Sequence, residues 1–584
     1  MISVTGIGII SAIGNNAAET VESLRQGRSG IGEVRYLNTV HHSLPVGEVK
    51  MSNDELRTLL HIPAGTFASR TTLLGVHALR QAIADAGLSA GVISAKRSVL
   101  ISGTTVGDMD VVGHSDVIPQ WSLGRETRDM ATLCGLDVEV CTVSTACSSS
   151  LNAIILGCEM LRNGEADIVI AGGAEALSLL HFNGFRSLMI LDSHPCRPFD
   201  ATRAGLNLGE GAAYVVLQRS SVAGHTRAFI KGYANRCDAF HQTATSDNGE
   251  GAYLAMTGAL RMAGLQPADI DYVNAHGTAT MDNDLSESRA IRRVYGKLGL
   301  PISSTKGMTG HTTSASGSIE TVLCILAMEN GFIPQNVGWH EPMNEGILPY
   351  VGKDMANLEN VMCNAFGFGG NDSSLVIGRS GEEVTLRKTA GNSGRGEADE
   401  HCGRDEADGH DGKTCGETAR HSVGEIVSDV TIDNVEQLKD VGAFIPPMAA
   451  RRMCKLMKAA MLTSLRALRE SGLETPDAIV TATAYGMREN SVKMLSDLLE
   501  YGEETMSPTL FMQSTHNTIG SAIAIQTKCH GYNITYTQGD KSLEWALRDA
   551  RRLISTGQAE NVLVGWHDET DDGGIFSRSL ILRK

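Results

Sequence analysis

Long apolar runs are missing from this chain of 584 residues. No unbroken stretch is long enough to span a bilayer as a helix, so the sequence predicts no membrane span. The opening residues, MISVTGIGII, have neither a cationic segment nor a small-residue cleavage site. They read as a first β-strand and not as a signal peptide. CxxC pairs are also absent, and the 12 cysteines follow no regular spacing. That argues against a disulfide framework and for reduced thiols in a cytoplasmic protein. Positive charge is short as well: the net charge is −17. That balance argues against a general nucleic-acid binder, and an acidic partner would need a local basic patch. What is present is ordinary for a soluble globular protein, with 42% hydrophobic and 20% charged residues. The length favours roughly two to four domains.

Buried-strand runs alternate with amphipathic helical spacing from Met1 to about Gly378, the pattern of an α/β architecture. The spacing predicts a helix over 73–88, a strand at 99–101, and a continuous apolar strand at 168–173 of the kind covered on both faces. Residues 381–422 then turn Gly-rich and charged and are nearly free of large apolar side chains. They cannot bury a core and read as a flexible linker. Their Cys402, Cys415, His401, His410 and His421 match no zinc spacing, so no metal site is expected.

After about Val423 the first pattern returns. Aligned from Thr145 on Thr537 without a gap, TACSSSLNAIILGCEMLRNGEADIVIAGGAE at 145–175 resembles TQGDKSLEWALRDARRLISTGQAENVLVGWHDE at 537–569, which runs two residues longer, and VLISGTTVG at 99–107 pairs with AIVTATAYG at 478–486. This is a duplicated domain rather than a solenoid. It stops after one half, and Gly539 faces Cys147.

Cys147 lies between a strand-like alternation at 138–143 and a helical run from Leu151. The free N–H groups and positive end of that helix are expected to favour a thiolate. A buried structural cysteine is the competing reading. Three further stretches bear on the choice: NAHGTAT at 274–280 with His276, SSTKGMTGH at 303–311 with Lys306 and His311, and NAFGFGGNDSS at 364–374. Glu320 follows on a helix expected over 313–330.

Together with VTGIG at 4–8, CRPFD at 196–200 and GLNLGEGAA at 205–213, these stretches resemble the β-ketoacyl-acyl carrier protein synthase family over Met1 to about Gly378. The resemblance implies a thiolase-like layered αβαβα fold of two similar halves, here with a third half-fold copy at the C-terminus. The domains are then a catalytic domain at 1–380, a linker at 381–422 and a degenerate N-terminal-half copy at 423–584. Cys147 matches the acyl-accepting nucleophile. His276 and His311 match the pair that holds the malonyl thioester carbonyl during loss of CO2. Lys306 matches the motif's lysine, Glu320 a supporting carboxylate, and Phe368 a gating ring whose N–H joins that of Cys147 in an oxyanion hole. The Cys-His-His set points to the elongating, decarboxylating class.

The resemblance implies a 3-oxoacyl-acyl carrier protein synthase of fatty acid or polyketide synthesis, with an aryl-polyene-like route suggested by the half-copy. A non-catalytic partner resembling a chain-length factor is the alternative. No cofactor is implied beyond the phosphopantetheine that the acyl carrier protein brings with its acyl or malonyl thioester. The family dimerises through its N-terminal halves, so the half-copy is expected to make an internal pseudo-dimer, with further homo-oligomerisation open. The strands leading to Cys147 and Gly539 should then pair antiparallel; a degenerate fusion without influence on catalysis is the other reading. Arg451, Arg452, Lys455 and Lys458 fall where related synthases dock the acidic carrier, with a solvated cationic helix face as the bland alternative; the catalytic domain has only Arg70 there. Departures are Ala204 in place of the family's usual Asp, HGTAT for HGTGT, and short stretches at 107–147 and 184–197.

Overall fold

The computed structural model describes residues 1–111, 123–380, 424–570 and 573–584. The expected linker with its cysteines and histidines lies outside the described residues, as does Val423.

Fifteen described strands form one sheet built of three five-strand blocks. The middle block runs Glu139–Ser144, Ser98–Gly103, Ile168–Glu175, Gly211–Arg219, Ile2–Ser11. On one side follow Ala228–Cys237, Asn371–Gly378, Asn360–Gly367, Tyr272–Asn274 and Ile302–Ser303. On the other side lie Tyr532–Tyr536, Ala478–Ala482, Asn561–Glu569, Ile575–Arg583 and Glu425–Ile432. Each block has parallel strands where helices cross over and antiparallel pairs where they do not.

Two helices explain the layering. Ser149–Arg162 and Ser316–Asn330 are apolar or small on every side, and nearly every residue is buried. A helix buried all round must be covered on both faces. These two pack together in the middle layer, where each fully buried Leu or Ile is worth about 1.5–3 kcal/mol. Helices such as Glu250–Ala263 carry one buried stripe and form an outer layer.

The duplication shows in the seam. Thr535 pairs with Ser144 and Tyr536 with Val143, antiparallel, so the strand entering the Cys147 turn continues into the half-copy. Thr537 N–H donates to Thr142 O at 2.9 Å, and Thr142 Oγ1 donates to Gln538 Oε1 at 2.6 Å. Arg548 reaches Glu165 at 2.7 Å and Glu139 at 3.0 Å across the same seam. Among the described residues no helix is long and apolar enough to cross a membrane.

Two helix boundaries differ from expectation. The first long helix begins at Arg70, three residues early, because Ser69 caps it through a hydrogen bond to Thr72 N–H. The GH stretch makes a separate four-residue helix, Lys306–Thr309, which Gly310 ends with φ +72. A 3-10 turn at Thr313–Ala315 then leads into Ser316–Asn330.

Candidate active site

The strand Glu139–Ser144 delivers the chain to a tight turn. Ala146 sits there at φ +53, a left-handed conformation costly for a residue with a Cβ, by about 1–3 kcal/mol. The turn is held by Ser149 Oγ, which donates to Ala146 O at 2.6 Å, and by Ser148 Oγ, which donates to Asn371 O at 2.8 Å. This explains the run of serines. It leaves Cys147 at the mouth of Ser149–Arg162, lining a cavity of about 320 Å³. In the half-copy the strand pairing and the helix start at Ser542 place Gly539, at φ +59, opposite Ala146, so the expected match of Gly539 to Cys147 is corrected by one residue and Asp540 stands where the thiol would be.

His311 reaches the same cavity from Gly310. Its N–H donates to Asn207 O at 2.7 Å and its O accepts from Gly209 N–H at 2.9 Å, so the GLNLGEGAA stretch is the bracket that holds it. His276 follows the strand Tyr272–Asn274. The two carboxylate oxygens of Glu287 accept the N–H groups of His276 and Gly277, both at 2.8 Å. The CRPFD stretch backs this loop: the Phe199 ring lies where a Gly277 side chain would be, and Phe199 N–H donates to Asp284.

Nε2 of His311 lies 3.1 Å from the Cys147 sulfur. The rings of His276 and His311 are 5.3 Å apart at 84°. Lys306 Nζ lies 3.3 Å from Nδ1 of His276 and pairs with Glu320, both buried. An ammonium only donates, so Nδ1 of His276 must accept and Nε2 must carry the proton. Nδ1 of His311 faces Ser316 Oγ at 3.0 Å, a hydroxyl able to donate or accept. His311 can therefore change tautomer, and His276 cannot.

Burial holds both imidazoles well below their usual range, helped by the Lys306 ammonium. Both rings are neutral at pH 7. Burial also pushes the Cys147 thiol up to about 11, although Lys306 and the backbone N–H groups of Phe368 and Cys147 pull against it. The thiolate expected from the helix end is thus corrected: desolvation outweighs the dipole, and the resting pair is thiol and neutral imidazole. Burial raises Glu320 and Glu287 to about 7, against Lys306 and the Gly277 N–H respectively.

The five residues Cys147, His276, His311, Lys306 and Glu320 thus come together, and Phe368 joins them through its N–H. Glu287, Ser316 and Phe185 were not legible in the sequence; Phe185 stacks on Phe368 at 5.6 Å. Ala204 lines the cavity, so the departure from the family's Asp leaves a small apolar wall there. Arg70 is buried and forms an ion pair with Glu210, so it offers no docking charge. Arg451, Arg452 and Lys455 are exposed and Lys458 half-buried at the start of Lys455–Glu470, with Lys455 Nζ 3.3 Å from Glu489. Among the described residues no cluster of potential metal ligands occurs.

Residues 1–223 match Beta-ketoacyl synthase, N-terminal domain, and residues 227–340 match Beta-ketoacyl synthase, C-terminal domain. Residues 430–574 match the N-terminal domain a second time. The 3-oxoacyl-[acyl-carrier-protein] synthase 2 of Vibrio cholerae is 31% identical over 416 residues, which are 64% of this chain and 98% of that one.

The chain belongs to the β-ketoacyl synthase family.

It is accordingly an enzyme of acyltransferase type with a thiolase-like fold. The tetracenomycin polyketide synthase ketoacyl synthase alpha subunit of Streptomyces glaucescens is also 31% identical, covering 65% of this chain and 97% of its own. The ishigamide ketosynthase/chain length factor structure is 32% identical with a TM-score of 0.61, covering 65% of this chain and 99% of its own.

Proposed function

We propose that this β-ketoacyl synthase joins an acyl thioester to malonyl-acyl carrier protein, releasing CO2 and forming a 3-oxoacyl-acyl carrier protein. The observation that carries this reading is the Cys147 sulfur 3.1 Å from a neutral His311, beside a His276 whose Nε2–H is fixed by Lys306. In the first half-reaction Cys147 gives its proton to His311 and its sulfur attacks the acyl-carrier thioester carbonyl. The oxyanion sits between the N–H groups of Cys147 and Phe368, and collapse returns the proton to the departing carrier thiol. In the second, the malonyl C–CO2 bond breaks and its electron pair moves into the thioester as an enolate. The Nε2–H groups of His276 and His311 hold that oxygen. The enolate carbon attacks acyl-Cys147, and the thiolate leaves.

The substrates arrive on the phosphopantetheine arm of an acyl carrier protein, in the cytoplasm, and no other cofactor enters this scheme. Arg451, Arg452, Lys455 and Lys458 give the acidic carrier a basic dock on the half-copy. Their tie to the active site is short: Arg452 O accepts from Gln513 on the helix Pro508–Ser514, and Phe511 of that helix packs on Phe185 at 5.5 Å. Fatty acid, polyketide and aryl-polyene-like routes all fit this chemistry. The family matches at 1–340 and 430–574 support the division at 1–380, 381–422 and 423–584.

Incubation with acyl-carrier protein and intact-mass measurement tests the assignment. The wild type should gain one acyl mass and Cys147→Ala none, while Cys147→Gln keeps malonyl decarboxylation. Acylation of Cys147→Ala at the wild-type rate would reject Cys147. No acylation of the wild type would favour the chain-length-factor-like alternative.

A further inference from the structure

The loop at 367–370 lies between two surfaces. On one side Gly367 packs on the nucleophile turn, where an added Cβ would meet Thr145 O at 2.5 Å and Cys147 N at 3.2 Å. On the other side Gly369, at φ +85, packs on the half-copy, where a Cβ would meet Ser521 Oγ at 2.1 Å. Neither glycine leaves room for a side chain, so the loop has no slack toward either surface.

One side chain of the half-copy grips this loop. Asn517, at the start of the helix Thr518–Thr527, is 1% exposed. Its Nδ2 donates to Phe368 O at 2.9 Å and to Asn371 Oδ1 at 2.8 Å. The orientation of the amide follows from the network. Asn371 Nδ2 donates to Asn533 O at 3.2 Å, so its Oδ1 faces Asn517 and accepts there, with Ser521 Oγ a longer second donor at 3.3 Å. Asn517 Oδ1 has no partner in its buried surroundings. An asparagine that commits both protons across the seam and leaves its own acceptor unsatisfied is held there for what it donates to. Asn371 also leads back to the nucleophile, since its O accepts the hydroxyl of Ser148.

We propose that Asn517 is a positioning residue of the acylation site, holding the Phe368 carbonyl and Asn371 so that the Phe368 N–H is aimed at the Cys147 sulfur. The half-copy then completes the oxyanion hole of the catalytic domain without touching the substrate. This rests on the reading of Cys147 as the acyl acceptor. The same N–H stabilises the Cys147 thiolate, so the effect can be read without any substrate.

The test uses the full-length chain with Asn517→Asp, which keeps the shape but sets a carboxylate against two acceptors, and Asn517→Ser, which keeps one donor. The rate of Cys147 alkylation by iodoacetamide is followed against pH by mass mapping of its peptide, alongside acyl transfer. The expected order is wild type, Ser, Asp. Alkylation in Asn517→Asp at pH 8 should fall roughly tenfold, the loss of one hydrogen bond to a charged group, with its pH profile displaced upward. Acyl-transfer kcat should fall with KM for the carrier little changed. Wild-type profiles in both folded variants would overturn the proposal; if Asn517→Asp does not fold, Asn517→Ser decides alone. Should Cys147→Ala still accept acyl groups, the acyl-acceptor reading fails, and the alkylation profiles still judge the Asn517 geometry.

Discussion

His276→Ala separates the two half-reactions. His276 has no hydrogen bond to the Cys147 sulfur, whereas His311 does. Removing His276 therefore deletes one of two enolate donors and leaves the thiol's proton acceptor in place. A missing oxyanion-hole donor costs about 2.7–4 kcal/mol, or roughly 10²–10³ in rate. CO2 release from malonyl-carrier protein should fall by that factor while acyl-Cys147 formation stays near wild type. The pH dependence has a definite sign. Burial and Lys306 depress both imidazole pKa values well below the usual 6.5. Lowering the pH through 6.5 therefore does not protonate either ring, so an acid limb of wild-type CO2 release near 7 should come from Glu320 beside Lys306 and Glu287 behind His276, both raised to about 7, and should vanish when they are replaced by Gln. Labelled CO2 trapping and intact-protein mass measure the two steps separately. Equal losses in both steps, or a limb near 6.5 that survives Glu320→Gln and Glu287→Gln, would refute the proposed division of labour.

Deleting 424–584 should uncover the strand Glu139–Ser144 and yield a chain that aggregates or self-pairs, measured by size exclusion with light scattering; a monodisperse monomer would contradict this. Reversing Arg451, Arg452, Lys455 and Lys458 to Glu should raise KM for carrier-bound substrate by roughly tenfold at low salt, with little change for a free pantetheine thioester. Equal effects on both substrates would place the dock elsewhere.

Much of the site was legible because its chemistry is written in short motifs. Cys147, His276 and His311 each sit beside small residues that a tight approach demands, and the structure brings all three to one cavity. The antiparallel seam was legible from the repeat, since equal strands have equal edges. Three things were hidden. The helix end above Cys147 can be read from sequence, but the burial that overrides it cannot. Glu287 acts through two backbone N–H groups, and a glutamate that caps a distant loop has no spacing signature. Arg70 looked like a surface cation because its partner, Glu210, is distant in the chain.

The second copy has lost and kept different things. It lacks the thiol, and the family match at 430–574 has no C-terminal partner domain. It keeps the five-strand block in the same order, with Tyr532–Tyr536 in the place of Glu139–Ser144. A full second synthase would be needed to make a second cavity, but only this block is needed to cover the edge beside Cys147. The free edges that remain in the described sheet are poor templates for pairing. Ile302–Ser303 has two residues, and Glu425–Ile432 carries Glu425 and an Asp429 tied to Arg578. Covering the edge explains a stable fold, but it does not explain a buried asparagine with both protons aimed at the catalytic domain. An apolar residue would cover an edge without leaving an acceptor unsatisfied. On the positioning role proposed for Asn517, the half-copy sets the geometry of Phe368 as well as hiding the edge.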